Sequence, residues 1–75
     1  MSSLLKFLSV EANGLLTARA MYMYQAQIPE ELGFAKGDIL AVLRLQDDGW
    51  WEAEIVGRPG ARGLVPSNYL QVVDR

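Results

Sequence analysis

No cysteine and no histidine occurs among the 75 residues of the chain. Their absence removes disulfide staples, thiolate or imidazole zinc sites and every nucleophile–base system built on Cys or His. What remains for chemistry is Ser2, Ser3, Ser9, Thr17, Ser67 and lone carboxylates, with no basic partner at an activating spacing. No enzyme, metal centre or cofactor is expected from that set. Asp47-Asp48 reads as a loop pair rather than an acid/base dyad, and Ser67 as the cap of a short turn. Basic residues are scarce too: seven Lys plus Arg stand against nine Asp plus Glu, a net charge of −2. That balance opposes nucleic-acid binding by counterion release and favours a neutral or basic partner. Long apolar runs are missing as well. Leu4–Val10 and Gly63–Leu70 fall far short of the ~20 residues needed to cross a bilayer, so no membrane insertion is expected. Lys6 interrupts the apolar start, no basic region precedes it and Glu11 follows closely. Those features argue against a signal peptide, and a cytoplasmic location is expected.

What is present is 51% hydrophobic residues, too apolar for a disordered tail, in a length that holds one small domain at most. Ser3 is a candidate N-cap for Leu4, Leu5, Phe7, Leu8 and Ala12, which sit at spacings of three and four before Asn13-Gly14. The spacing predicts a short amphipathic helix within an N-terminal extension over residues 1–17, with the folded domain at 18–75. A helix of two to three turns is marginal in water alone and needs something to pack against.

From Ala18 the pattern becomes short strands and tight turns. Ala18, Ala20, Tyr22 and Tyr24 alternate with Arg19, Met21, Met23 and Gln25, predicting a first strand. Pro29 and Gly33 disfavour a continuous strand between Gln27 and Leu32 and point to an irregular hairpin arm, with Leu32 and Phe34 as inward anchors. Lys36-Gly37-Asp38 reads as a turn, and Ile39–Leu45 is the most strand-like run. After the loop Gln46–Gly49, Trp51, Ala53 and Ile55 alternate with Glu52 and Glu54, which leaves Trp50 on the acidic face. Gly57–Gly63 is a loose hairpin loop, Leu64-Val65 resumes strand, and Pro66–Tyr69 forms a helical or 3-10 turn before a last strand, Leu70–Val73. The expected fold is all-β: a small five-stranded barrel with a short 3-10 turn. Its core is expected from Ala18, Ala20, Leu32, Phe34, Leu40, Val42, Ala53, Val65 and Leu70.

That core leaves four rings unclaimed, Tyr22, Tyr24, Trp50 and Tyr69. Taken singly, each ring is explained by ordinary packing at a core edge. Together they cost solubility unless a partner covers them. Adjacent rings with polar handles form shallow slots for a chain already extended as a polyproline II helix, whose natural residue is proline. The tyrosine hydroxyls, the Trp50 indole N–H and the Asn68 amide are donors for that helix's unpaired carbonyls. Glu30, Glu31, Asp47, Asp48 and Glu52 form a second constellation. Acid clusters ordinarily make a solvated face, but beside an apolar groove they also offer a contact for a ligand's Arg or Lys.

Ala20-Met21-Tyr22-Met23-Tyr24, the arm ending Glu30-Glu31-Leu32-Gly33-Phe34, Lys36-Gly37-Asp38, Trp50-Trp51 and Gly63–Leu70 together resemble a Src homology 3 (SH3) domain, in order, from Ala18 to about Val73. The resemblance implies an SH3-like barrel with a ligand surface made by Tyr22, Tyr24, Trp50, Pro66, Asn68 and Tyr69. It also implies PxxP ligands flanked by Arg or Lys, met by Glu31 and its neighbour Glu30; from the acidic constellation, Asp47 and Asp48 are further candidate contacts for that basic residue. Three departures stand out. Met23 replaces the usual Asp, loosening the base of the arm; Leu64 replaces a common aromatic, flattening one slot wall; and the Arg58–Gly63 loop is longer than in compact members, away from the groove.

The function expected is a non-catalytic adaptor recruiting proline-rich partners within a larger signalling, cytoskeletal or endocytic scaffold, monomeric unless the N-terminal extension self-associates. The alternative is an assembly module whose Leu4, Leu5, Phe7 and Leu8 mediate oligomer or intramolecular contacts, with peptide binding secondary.

Overall fold

The computed structural model describes residues 16–73. The expected N-terminal helix, and with it the alternative assembly surface, lies outside the described residues. Five strands follow in order: β1 (Leu16–Ala20), β2 (Ile39–Arg44), β3 (Trp50–Ile55), β4 (Arg62–Pro66) and, after a 3-10 turn at Ser67–Tyr69, β5 (Leu70–Val73). They form one antiparallel sheet in the order β4-β3-β2-β1-β5. Ala18 faces Leu40 across β1–β2, and Leu40 in turn faces Ile55 on β3. One inward face per strand therefore lines up into a single core row, the arrangement a barrel requires.

The core is Ala18, Ala20, Leu32, Phe34, Leu40, Val42, Ala53, Ile55 and Val65, with Leu40, Val42 and Val65 the largest side chains sealed from solvent. Leu70, expected inside, is partly buried and packs against this cluster because it begins the edge strand β5. Between Val42 and Arg44 the β2–β3 register shifts, a bulge that bends β2 so that the sheet curls on itself.

β1 stops at Ala20, well short of the run predicted through Gln25. The cause lies in the hydrogen bonds: the Met21 N–H donates to the Tyr69 carbonyl at 2.8 Å, and Tyr24 pairs instead with Phe34, 2.9 Å in each direction. The alternation past Ala20 therefore belongs to a separate arm whose two sides are Tyr24 and Phe34. Strand-like periodicity registers extended backbone, not which neighbour it pairs with.

The arm returns onto β4. Leu32 N–H donates to the Leu64 carbonyl at 2.8 Å, and Leu64 N–H to the Glu30 carbonyl at 2.9 Å. Glu31 and Leu64 thereby form a parallel bridge. This approach is so close that a Cβ on Gly63 would sit 2.9 Å from the Glu30 carbonyl oxygen and 3.1 Å from Leu32 N. Only glycine fits there. At the arm's other end the turn Ala35–Asp38 is closed by the Asp38 carboxylate, which accepts the Ala35 N–H at 2.8 Å.

Candidate functional site

Three stretches of chain converge on one surface. The start of the arm carries Tyr22 and Tyr24, the start of β3 carries Trp50, and the 3-10 turn carries Asn68 and Tyr69. Convergence of the last two is fixed by one backbone bond: Ser67 N–H donates to the Gly49 carbonyl at 2.9 Å, drawing the β2–β3 loop to the turn. Gly49 has φ +89°, a left-handed conformation that L side chains rarely adopt. Ser67 does not cap the turn, contrary to expectation. The position preceding the turn is Pro66, no side chain caps it, and the Leu70 N–H donates to the Ser67 carbonyl instead.

The four rings form a continuous row. Tyr22 meets Tyr69 at a centroid distance of 5.6 Å and 83°, Tyr69 meets Tyr24 at 5.5 Å and 85°, and Tyr24 meets Trp50 at 6.0 Å and 70°. Each contact is edge-to-face, the geometry the ring quadrupole favours. Alternating edges and faces make the row corrugated rather than a flat plate. Tyr22 is 59% exposed; Tyr24, Trp50 and Tyr69 are half-buried, since each packs on its neighbours and Tyr24 and Tyr69 also rest on the core. Asn68 is exposed. Pro66 is buried, directly opposite Trp50 in the β3–β4 register, so the two side chains stand side by side on one face of the sheet.

The acidic residues divide by what holds them. One oxygen of Glu31, Oε1, accepts both the Tyr24 hydroxyl at 2.6 Å and the Gln27 N–H at 2.8 Å. The hydrogen bond to Glu31 is the main reason the Tyr24 phenol is pushed up to about 12, with desolvation and the carboxylate's charge acting in the same direction. Reciprocally, the Tyr24 hydroxyl first and the Gln27 amide second hold the Glu31 carboxyl below its ordinary range. Asp48 accepts the Trp50 N–H at 3.0 Å and so fixes the loop at the other side of the ring row. Glu30 and Asp47 are exposed, and neither side chain bonds to the chain among the described residues. Glu52 lies beside Leu64 on β3, and Leu64 also bridges Glu31, which places both acids along one row of the sheet.

Sequence reasoning missed two contributors. Phe34 backs the Tyr24 ring at 5.9 Å, and the Tyr24–Glu31 bond ties groove to arm. A hairpin register for the arm, pairing Tyr24 with Phe34, is the signal that reveals both. Of the departures noted above, Met23 is 63% exposed, and Leu64 is half-buried at the arm–β4 junction.

A family model described as the SH3 domain matches residues 19–67. The chain belongs to the SH3 domain family. It is 62% identical over 55 residues to cell division control protein 15 of Schizosaccharomyces pombe, covering 72% of this chain and 6% of that protein. It is 51% identical over 53 residues to human proline-serine-threonine phosphatase-interacting protein 1, covering 71% of this chain and 12% of that protein. The chain thus spans a small fraction of these relatives' length. Among solved structures, the SH3 domain of Acanthamoeba myosin I bound to Acan125 aligns with a TM-score of 0.71 and 41% identity, covering 81% of this chain and 98% of that one. The C-terminal SH3 domain of myosin IB from Entamoeba histolytica, solved with a peptide bound, aligns with a TM-score of 0.72 and 37% identity over 83% and 88% of the two chains.

Proposed function

We propose that the chain is a non-catalytic, cytoplasmic adaptor module that captures proline-rich PxxP segments of other proteins in the polyproline II conformation. The observation that carries this reading is the unbroken row Tyr22–Tyr69–Tyr24–Trp50, with carboxylates held at its Tyr24–Trp50 end. A polyproline II helix has three residues per turn and no internal hydrogen bonds, so it enters shallow clefts with little loss of entropy and brings unpaired carbonyls. Trp50, Asn68, Tyr22 and Tyr69 supply donors for those carbonyls, while Pro66 stands beside Trp50 across β3–β4. Glu30, Glu31, Asp47 and Asp48 favour ligands with Arg or Lys beside the prolines. Two SH3 neighbours were solved with partners bound, and relatives named for cell division control, septation and the myosin ID heavy chain support a cytoskeletal setting.

The deciding experiment is an array of proline-rich peptides carrying Arg at either end or at neither, followed by calorimetry of the best ligands. Saturable binding to PxxP peptides, strengthened by Arg at one end, is expected. If no PxxP peptide in the array binds above a scrambled control, the reading fails.

A further inference from the structure

The Glu31 carboxylate is held from both sides. Its backbone is fixed against β4 by the bridge to Leu64, and its side chain by two donors converging on Oε1. A tyrosine hydroxyl has a single proton to donate, and Tyr24 gives it to Glu31 at 2.6 Å. The Tyr24 hydroxyl therefore faces a ligand as an acceptor only, which corrects the expectation that every groove tyrosine donates to ligand carbonyls. Oε1, already accepting two donors, has no lone pair left for a third.

We propose that Glu31 is a positioning residue for Tyr24 that offers a ligand's cation a single oxygen, Oε2, so that the groove reads Lys and Arg alike. The inference rests on the peptide-binding reading above. Arg outperforms Lys where its planar fork engages both oxygens of one carboxylate in parallel. Here that fork reaches both oxygens only by displacing Tyr24 or Gln27. An end-on contact to Oε2, with exposed Glu30 adjacent in sequence, suits the point charge of an ammonium equally well. Because Tyr24 sits at the centre of the ring row and touches both Tyr69 and Trp50, its orientation sets two clefts at once. Loss of the Glu31 acceptor therefore reaches ligands that carry no cation at all.

The test uses three proline-rich peptides identical except for one flanking residue, Arg, Lys or Gln, titrated into the parent chain by calorimetry. Arg and Lys peptides are expected to bind within about threefold of each other, and the Gln peptide about tenfold more weakly. The Gln-flanked peptide is then titrated into Glu31→Gln, Glu31→Ala and Tyr24→Phe. Gln keeps an amide oxygen for the phenol, so Glu31→Gln should weaken this peptide less than Glu31→Ala does. Glu31→Ala and Tyr24→Phe should each weaken it by about threefold or more, and the double variant no further. Should Glu31→Ala not fold, Tyr24→Phe reads the same loss. A tenfold preference for Arg over Lys overturns the inference, as does a Gln-flanked peptide indifferent to both Glu31→Ala and Tyr24→Phe. Failure of the parent to bind any of the three peptides overturns the peptide-binding reading itself, a result distinct from either.

Discussion

Tyr24 and Phe34 exchange both of their backbone hydrogen bonds, at 2.9 Å each, and set their rings 5.9 Å apart. Phe34 is buried in the core and Tyr24 stands in the ring row. One cross-strand pair thus ties the interior to the surface, and the position of the ring row depends on the packing beneath it.

Trp50 closes one end of the row and is held by Asp48 and by its register with Pro66. Trp50→Ala is expected to weaken PxxP peptide binding by roughly 2 kcal/mol or more, as truncation of hot-spot aromatic rings does. Its ring is only half-buried, so circular dichroism should show an intact fold. Equal affinity of variant and parent in a calorimetric titration would refute the role given to it.

Gly63→Ala places a methyl 2.9 Å from the Glu30 carbonyl oxygen, a backbone atom that cannot swing away. The arm must lift from β4 or the strand must shift, at a cost of about 1–3 kcal/mol. In a domain this small the melting temperature should drop by roughly 4–8 °C per kcal/mol. An unchanged melting temperature contradicts the close approach.

The Tyr24–Glu31 bond predicts two pH effects of opposite direction. The phenol, raised from 10.0 to about 12, contributes stability that is full below pH 10.0 and lost as pH rises through about 12. The carboxyl, lowered from 4.5, contributes stability that is full above pH 4.5 and lost as pH falls through its depressed value. In Glu31→Gln the Tyr24 titration, followed by ring NMR signals, should move back toward 10.0, and the acid loss of stability should become shallower. A Tyr24 titration identical in parent and variant rejects the coupling.

Leu40 is sealed from solvent between Ala18 and Ile55. Leu40→Ala is expected to cost about 2–5 kcal/mol, a large part of the 5–15 kcal/mol that holds such domains together. Urea denaturation should show a midpoint shifted far toward zero. A shift equal to that of a surface variant such as Gln71→Ala means that the core is not where the strand registers place it.

Most of the architecture was legible because it rests on period-two burial. Ile39–Arg44 announces itself as a continuous apolar, strand-like run and Trp50–Ile55 by alternation, and eight of the nine residues expected in the core are buried, Leu70 being the partly buried ninth. The ring set was legible by elimination, since aliphatics already claimed the inward positions. The arm was not, because pairing partners are a property of three-dimensional closure: nothing local to Tyr22–Gln25 says that Met21 will bond to Tyr69 rather than continue β1. The same blindness hid the demand on Gly63, which as text is one glycine among several in a loop. Residue type alone marked Glu31 as a charge. Its service to Tyr24, seven residues away along the chain, appears only once the arm is folded.

The ring row draws its members from positions as far apart as Tyr22 and Tyr69, so the complete row exists only in the folded domain. Capture of a partner is therefore thermodynamically linked to the native state. A saturating ligand at a hundredfold its dissociation constant should raise the unfolding free energy by about 2.7 kcal/mol. An occupied copy should accordingly resist proteolysis better than a free one, since cleavage draws on the opened state that the ligand depopulates.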